Sequence, residues 1–473
     1  MNTPNIGSRR ELFVDHFLID RLDGASLRMH RPRRREVAFQ ARGPVENACS
    51  VVYSVFVEHE GRVLLYYRGR HSPGEQEHNR KEDQTTHVAI STDGLCFERP
   101  ELGLFDFGDG GANNIVWQGR QSHNLVPFVD RNPAAAPEAR FKAVGGSGER
   151  GLHALASHDG IHWRLMQEEP LDIDGAFDSA NVPMWDPRLG RYRLFSRYFD
   201  RTGDQKVRAI QSCESEDFIH WTRPVPHEYP EDAPREHFYT NATALCPGAG
   251  HILLSFPMRF VPDRRPPVPT CGMAYTAHGG VSDAVMMTSR DGVHWDRSFL
   301  QAWLRASIDE RNWTHRNQTP AIGILTGEQE WSMYVSEHYG WADNRLRRLT
   351  VRPWGFAAVH AGRADGEMLT KPFLFSGREL RMNFSTSAVG SVTMEIQGPD
   401  GRAIEGFAMN DMPPMYGDRV DAPVAWPGRE ARESAPPVPE AGTDLSALEG
   451  RPVRLRVRLH DADLFSIRFT HEG

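Results

Sequence analysis

The sequence predicts an all-β protein: a five-bladed β-propeller followed by a C-terminal β-sandwich. A seven-residue motif with serine, aspartate and a closing aromatic residue recurs as STDGLCF (91–97), SHDGIHW (157–163), SEDFIHW (215–221) and SRDGVHW (289–295). The copies begin 66, 58 and 74 residues apart, which suits four-stranded propeller blades with long loops. The 33 prolines and 42 glycines spread along the chain disfavour long helices and favour strands and turns.

The length of the chain predicts more than one domain, because 473 residues exceed what a single core usually holds. Five sets of β-branched and apolar runs fill residues 40–365 and predict the five blades; the fifth set ends in a Trp-Gly-Phe remnant of the motif. From residue 366 to 473 the runs become longer and alternate, as in RELRMNFSTS and RPVRLRVRLH, which predicts the sandwich. Residues 1–39 are expected to add strands that pack on the propeller or at the domain seam.

Composition restricts the partners and the compartment. The net charge of −8 gives no attraction to nucleic acid or to an anionic membrane. The five cysteines have no CxxC spacing, and the N-terminus lacks the apolar core of a signal peptide, so we expect free thiols and a cytoplasmic location. No nucleotide-binding glycine motif occurs, and we expect neither a cofactor nor a metal ion. A homo-oligomer is left open.

The repeated motif is interpreted as scaffold, although it is rich in reactive side chains. Strands of a blade alternate in direction, so a turn after the third strand lies at the opposite end of the blade from the start of the first strand. The serine and aspartate can bond the turn backbone, the glycine can adopt positive φ, and the aromatic ring can pack between blades. The motif histidines His162, His220 and His294 are therefore expected to be structural.

Candidate binding residues lie at the other end of the blades, where first strands start and second strands end. These positions are unusually polar for a packed ring, which indicates a site for a polyhydroxylated ligand. The substrate-binding candidates are Asn47, Arg68, His123, Asn124, Asn181, Arg197, His237, Tyr239, Asn241, Arg259, Arg316, Asn317 and His338.

Three carboxylates at first-strand starts form the predicted catalytic set, since glycosidic cleavage uses one carboxyl as acid and a second as nucleophile or base. Glu236 is predicted to be the general acid, because its partly apolar neighbours suit a proton donor. Asp178 is the predicted nucleophile or base, Glu46 the orienting carboxylate, and Glu337 the reserve. Each has a structural alternative: Asp178 could cap a turn, Glu46 could pair with an arginine, and Glu236 could be a solvated loop residue.

A five-bladed propeller followed by a sandwich, with repeated S-x-D-G-x-x-W segments, resembles the furanosidase-type glycoside hydrolases of families 32, 43 and 68. The motifs depart from that pattern, because Glu46-Asn47 stands where the invertase-type family has an Asn-Asp-Pro-like nucleophile motif, and no Arg-Asp-Pro occurs. The stretches ELFVDHFLID, FDSANVPMWDP and DADLFSIRF are also similar to those of a set of uncharacterised bacterial proteins of the same organisation.

The resulting expectation is a glycoside hydrolase that cleaves small oligosaccharides or furanosides by carboxylate acid/base chemistry in the propeller channel. Two alternatives stay open. One is a propeller-type glycoside phosphorylase, in which Arg68, Arg197 and Arg259 hold phosphate. The other is a non-catalytic carbohydrate-binding propeller, whose carboxylates accept bonds from hydroxyl groups.

Overall fold

The computed structural model describes residues 3–42, 46–69, 84–106, 110–147, 151–274, 279–428, 430–431 and 434–471. The chain forms two compact units, one made of Met1–Arg31 with Val351–Gly473 and the other of Pro32–Thr350. Within the described residues the regular structure is strand, apart from 3₁₀ turns at Arg120–Ser122, Pro137–Ala139, Glu310–Asn312, Met409–Asp411 and Ser446–Leu448. The all-β prediction is confirmed. None of these short helices has the length and hydropathy of a membrane span.

The strands up to residue 165 are β1 (Asn5–Gly7), β2 (Glu11–Leu12), β3 (Ile19–Asp23), β4 (Ser26–Met29), β5 (Arg33–Gln40), β6 (Val55–His59), β7 (Arg62–Arg68), β8 (Thr85–Ser91), β9 (Ile115–Gln118), β10 (Val126–Val129), β11 (Phe141–Ser147), β12 (Gly151–Ser157) and β13 (Trp163–Leu165). Those up to residue 320 are β14 (Val182–Asp186), β15 (Arg191–Asp200), β16 (Val207–Ser215), β17 (Val225–Pro226), β18 (His237–Phe238), β19 (Ala244–Leu245), β20 (Leu253–Ser255), β21 (Met258–Val261), β22 (Val281–Ala284), β23 (Met287–Ser289), β24 (Trp295–Asp296) and β25 (Thr319–Pro320). The last are β26 (Trp331–Glu337), β27 (Arg345–Val351), β28 (Ala357–Ala361), β29 (Gly366–Thr370), β30 (Leu374–Phe375), β31 (Glu379–Gln397), β32 (Asp418–Pro423) and β33 (Arg454–Thr470).

The 32–350 unit consists of successive antiparallel sheets. Three follow chain order directly: β6-β7-β8-β9, β10-β11-β12-β13 and β14-β15-β16-β17. The next stretch forms two small sheets, β18-β21-β22 and β19-β20-β23-β24. The last sheet has the order β25-β26-β27-β5, so a strand from the beginning of the unit completes the sheet at its end.

The division of the fourth group into two small sheets differs from the sequence prediction of three continuous strands over residues 240–289. Pro257 interrupts the run HILLSFPMRF, because it has no amide hydrogen to donate to a neighbouring strand. Ala242 interrupts the first strand with a φ of +43°. The second predicted strand therefore becomes β20 and β21, and the third is likewise divided into β22 and β23.

The repeated motif forms the turn between the third and fourth strands of the first three sheets and between β23 and β24, as predicted. In the second copy, Ser157 Oγ accepts a bond from the Gly160 amide at 2.9 Å, and Asp159 Oδ1 accepts bonds from the amides of Ile161 and His162 at 2.9 Å. Gly160 has a φ of +77°. The serine and aspartate thus bond the turn backbone as predicted, which agrees with a structural role for this copy.

The aromatic residue of the motif packs between neighbouring sheets. Trp163 is buried, and its ring meets Tyr66 of the preceding sheet edge to face, with the ring centroids 6.2 Å apart. The Trp163 indole and the Tyr66 hydroxyl both donate to the Gly160 carbonyl, at 2.9 and 2.8 Å. The motif therefore ties one sheet to the next.

We expect Trp163→Ala to lower the free energy of unfolding by about 3–5 kcal/mol, because it empties a packed site between two sheets. The control is His162→Gln in the same turn: the His162 side chain is 59% exposed, so a change within about 0.5 kcal/mol is expected. Urea unfolding of the three proteins measures both values. Equal losses in the two variants would contradict the scaffold assignment.

The other unit is built around one eight-stranded sheet in which β33 pairs with β2, β28, β29 and β31. Strand β31 pairs with β33 in two stretches separated by a register shift between Thr386 and Ser391. A core of buried side chains that includes Met382, Phe384, Leu455 and Leu464 fills this unit. Residues 1–31 belong here, with β3 on β29 and β4 on β28.

Candidate functional site

A cavity of about 390 Å³ lies in the 32–350 unit, at the end of the sheets where first strands start and second strands end. Three arginines, one carboxylate and three aromatic rings dominate its lining. The lining residues are Asp178, Arg197, Phe199, Arg208, Tyr239, Phe260, Pro262, Gly279, His315 and Arg316. Of the sequence-predicted residues, the structure brings Asp178, Arg197, Tyr239 and Arg316 together in this cavity.

Asp178 is an accessible carboxylate held in its ionised form. Its side chain is 63% exposed, and its Oδ1 lies 2.8 Å from Nε2 of the buried His123, whose Nδ1 lies 2.9 Å from Gln84 Oε1. The hydrogen bond from His123 holds the pKa of Asp178 well below its usual range and outweighs the effect of burial; the charges of Arg197 and Arg316 act in the same direction. Asp178 is therefore suited to act as an anion and not as a proton donor.

Tyr239 lies among the arginines of the cavity. Its hydroxyl accepts a bond from Arg316 Nη2 at 2.8 Å, and the guanidinium carbons of Arg197, Arg208 and Arg316 lie 5.0, 4.9 and 5.3 Å from its ring centroid. Burial alone would raise the pKa of Tyr239, but the charges of Arg316 and Arg197 outweigh it and lower that pKa below its ordinary value. Tyr239 is thus a phenol prepared to lose its proton.

Strained backbone surrounds the same end of the sheets. Positive φ values occur at the non-glycine residues Tyr53, Asn124, Arg316 and Gln318, at 60°, 53°, 59° and 58°, all close to the start of a first strand. His338, just beyond the end of β26, has a φ of 59°. Each such conformation costs about 1–3 kcal/mol and is typical of functional sites, where the surrounding structure holds it.

The other three predicted carboxylates do not line the cavity, and each is paired with arginine. Glu46 binds Arg99 through both oxygens, at 2.8 and 2.9 Å. Glu236 binds Arg259 at 2.8 Å and Arg297 at 2.7 Å. Glu337 is buried among three guanidinium groups, those of Arg34 at 2.6 Å, Arg347 at 2.9 Å and Arg345 at 3.1 Å. The pairing that the sequence offered as the alternative for Glu46 is present.

The predicted asparagines mainly bond backbone groups. Asn124 donates to the Ser179 carbonyl at 3.1 Å, Asn181 to the Phe177 and Ser179 carbonyls, and Asn241 to the Phe195 carbonyl at 3.2 Å. Asn47 accepts from the Cys49 amide, and Asn317 accepts from the Tyr339 amide. Asn47 and Asn181 bond within their own loops, Asn124 joins two neighbouring sheets, and none of the five asparagines lines the cavity.

Four further predicted binding residues also lie outside the cavity lining. Arg68 donates to Asn124 Oδ1 at 3.3 Å, and Arg259 binds Asp283 and Glu236. His338 lies 2.8 Å from both Asp309 and Asp343. His237 Nδ1 accepts from the Arg208 amide at 3.3 Å, so it lies beside a lining residue.

Sequence reasoning missed Phe199, Arg208, Phe260, Pro262, Gly279 and His315. Phe199 lies two residues after the predicted Arg197 in FSRYF, and Phe260 directly follows the predicted Arg259 in PMRF. The alternation of side chains along a strand separates Phe260 from Arg259. Arg208 lies near the start of a third strand, which is at the same end as the first-strand starts. Including third-strand starts would have found it.

One group of the described residues has the ligand types of a metal site, namely His158, Asp159 and His162. It belongs to the second motif turn and is partly exposed, and Asp159 is already engaged by backbone amides and by His162. It lies outside the cavity lining.

Comparison with known proteins gives similarity to solved structures alone. No protein-family model matches the chain, and no curated protein is significantly similar to it. A glycosyl hydrolase from Bacteroides ovatus is 13% identical, covering 69% of this chain and 95% of that one, with a TM-score of 0.43. A structure from the GH130 family of mannoside phosphorylases, which contains glycoside hydrolases that target β-1,2-mannosidic linkages, is 13% identical over 73% and 98%, with a TM-score of 0.43.

A family 43 arabinoxylan arabinofuranohydrolase from Bacillus subtilis, in complex with cellotetraose, is 11% identical over 90% of this chain and 97% of that one, with a TM-score of 0.41. The names of these structures include glycoside hydrolases, the group that the sequence resembles. No residue role and no substrate is taken from them.

Proposed function

We propose that the chain is a glycoside hydrolase whose active site is the cavity around Asp178 and Tyr239. The observation that carries the proposal is the contrast between these two groups, one acid held ionised and one phenol prepared to release a proton, in the same cavity. Two titratable groups with perturbed pKa values in one cavity are typical of functional sites. The cavity volume of about 390 Å³ fits a small saccharide, and Phe199 and Phe260 offer it apolar walls.

Asp178 is proposed to be the nucleophile. A carboxylate with so low a pKa is a weak proton acceptor, which favours attack on carbon over general base catalysis. An Asp178 oxygen forms a bond to the anomeric carbon as the glycosidic carbon–oxygen bond breaks, and the leaving oxygen takes the Tyr239 proton. Water then attacks the glycosyl ester, passes a proton to the Tyr239 phenolate, and the Asp178 carboxylate leaves. The configuration at the anomeric carbon is retained.

Tyr239 replaces Glu236 as the proposed general acid. The Glu236 carboxylate bonds two guanidinium groups outside the cavity lining, whereas Tyr239 is a lining residue. The phenolate left after proton transfer is stabilised by Arg316, which already donates to the hydroxyl, and by Arg197. Glu236 remains the candidate against which Tyr239 must be tested.

We also propose that the sheets of the 32–350 unit are the five blades of a propeller. The first and last groups are neighbours, because Val55 and Ile322 form a parallel bridge, and the Phe56 amide donates to the Ile322 carbonyl at 2.8 Å. Such a contact closes a ring. In the other unit, we propose that the register shift between Thr386 and Ser391 divides β31 and β33 between the two layers of a sandwich.

A glycoside phosphorylase is the second candidate, and the excess of arginine over carboxylate in the cavity favours it. The arginines concerned are Arg197, Arg208 and Arg316, whereas Arg68 and Arg259 of the sequence-based expectation lie outside the lining. In this reaction phosphate takes the place of water, and the product is a sugar phosphate.

Incubation of the protein with a panel of pyranosides and furanosides, with and without inorganic phosphate, tests the proposal when product sugars are analysed by NMR. We expect a free sugar of retained configuration without any need for phosphate. A product of inverted configuration would contradict the nucleophile role of Asp178. Sugar phosphate formed only with phosphate would establish the phosphorylase, and saccharide binding without turnover would leave a binding protein.

A further inference from the structure

The cavity carries more positive than negative charge. Arg197, Arg208 and Arg316 line it together with one carboxylate, that of Asp178, which His123 already engages. In the described part of the chain, Arg197 and Arg208 form no salt bridge; Arg197 Nε donates to the Ala176 carbonyl at 3.1 Å, and Arg208 approaches His237 Nδ1. Among the described residues that line the cavity, arginines therefore outnumber carboxylates.

Arg208 is held in place by aromatic rings. Its guanidinium carbon lies 4.9 Å from the Tyr239 ring centroid and 5.2 Å from that of Phe260. The Arg208 Nε atom is buried and donates to no group in the described residues. A guanidinium stacked in this way keeps its planar set of donors oriented for an oxyanion.

The arginines also repel each other. Burial lowers the pKa of Arg208, the neighbouring Tyr239 partly restores it, and the charges of Arg197 and Arg316 lower it further. Within a folded protein such repulsion persists only where the surrounding packing enforces it. An anionic ligand would relieve it, and could accept bonds from the Arg208 guanidinium.

We propose that Arg197, Arg208 and Arg316 form a subsite for an oxyanion, either a carboxylate carried by the saccharide or a phosphate group. This inference rests on the proposed function only in taking the cavity as the place where the saccharide binds. It predicts that acidic saccharides are preferred to neutral ones of the same configuration. A binding measurement tests it independently of turnover.

The test is isothermal titration calorimetry of the parent protein, which cannot hydrolyse ligands that have no glycosidic bond. The ligands are glucuronate, galacturonate, their neutral counterparts glucose and galactose, and inorganic phosphate. We expect at least one anion to bind, with an affinity about 10–100-fold above that of the matching neutral sugar, as charge-assisted hydrogen bonds provide. Binding of a uronate but not of phosphate assigns the subsite to a substrate carboxylate; the reverse assigns it to phosphate.

Arg208→Met should reduce this anion affinity about 10–100-fold and leave neutral sugars unaffected. Arg208→Lys keeps the positive charge but lacks the planar pair of guanidinium donors, so it should retain part of the anion affinity. It also serves as a second test if the methionine variant does not fold. The matched control is Arg223→Met, at an exposed position after the motif of the same sheet, which should bind like the parent. The subsite is refuted if no anion binds better than its neutral counterpart, or if folded Arg208→Met and Arg208→Lys both bind anions as the parent does.

Discussion

Asp178→Asn is expected to lower turnover of a glycoside by a factor of about 10²–10⁴, because an amide cannot form the glycosyl ester. The asparagine keeps the size of the side chain and can still accept a bond from His123, so the fold should be retained. The measurement is the initial rate with the substrate found in the saccharide panel, together with a thermal melt.

The control for this variant is Asp217→Asn, the same substitution in the motif turn of the same sheet, where the carboxylate accepts bonds from the amides of Ile219 and His220. Its turnover should stay within a few-fold of the parent.

Melting of the Asp178 variant should be compared with that of the parent at neutral pH. A carboxylate with a depressed pKa contributes stability above its ordinary pKa, and this stability is lost as the pH falls through the depressed value. Parent-like turnover of Asp178→Asn would remove Asp178 from the mechanism.

Tyr239→Phe is expected to lower turnover of unactivated glycosides by about 10²–10⁴, the usual contribution of a general acid, and that of substrates with a good leaving group much less. The phenol must be protonated in the first step, so kcat/KM of the parent should fall as the pH rises through the lowered pKa of Tyr239. This fall should begin below the ordinary tyrosine range. Titration of phenolate absorbance should find one tyrosine of low pKa that the variant lacks.

Glu236→Gln provides the competing test of the general acid. The proton donor is Glu236, and the tyrosine assignment is wrong, if two results are found together. Glu236→Gln lowers turnover of unactivated substrates only, and Tyr239→Phe lowers turnover of both substrate types equally. The two variants therefore separate the sequence-based assignment from the structure-based one. The leaving-group dependence distinguishes a proton donor from a residue that only supports the fold.

Much of the fold could be predicted from local signals in the sequence. The serine and aspartate of each motif act within seven residues, so the turns could be predicted from the sequence alone. The run HILLSFPMRF was predicted to be one strand, although the proline inside it marks the interruption that the structure shows. What the sequence did not indicate was the division of that whole group into two sheets.

The candidate site was predictable only in part, because the environment of each carboxylate depends on partners that are distant in the chain. Asp178 and Glu236 occupy equivalent strand starts, yet Asp178 meets His123 and faces the cavity, whereas Glu236 meets Arg297. Glu337 is neutralised by Arg34, about 300 positions away. No spacing rule relates such pairs, and only the folded sheets bring them together.

The order of the strands along the chain also constrains synthesis of the protein. Strands β3 and β4 pair with β29 and β28, and residues 32–350 are translated between them. At about 5–20 residues per second, the ribosome needs roughly 15–65 seconds for that interval. The ends of the 32–350 unit meet, with Arg33 opposite Thr350, so this unit can close as soon as it is made. Strands β3 and β4 therefore have no partners until the residues after 350 have been made. The 32–350 unit can complete its sheets before the other unit does.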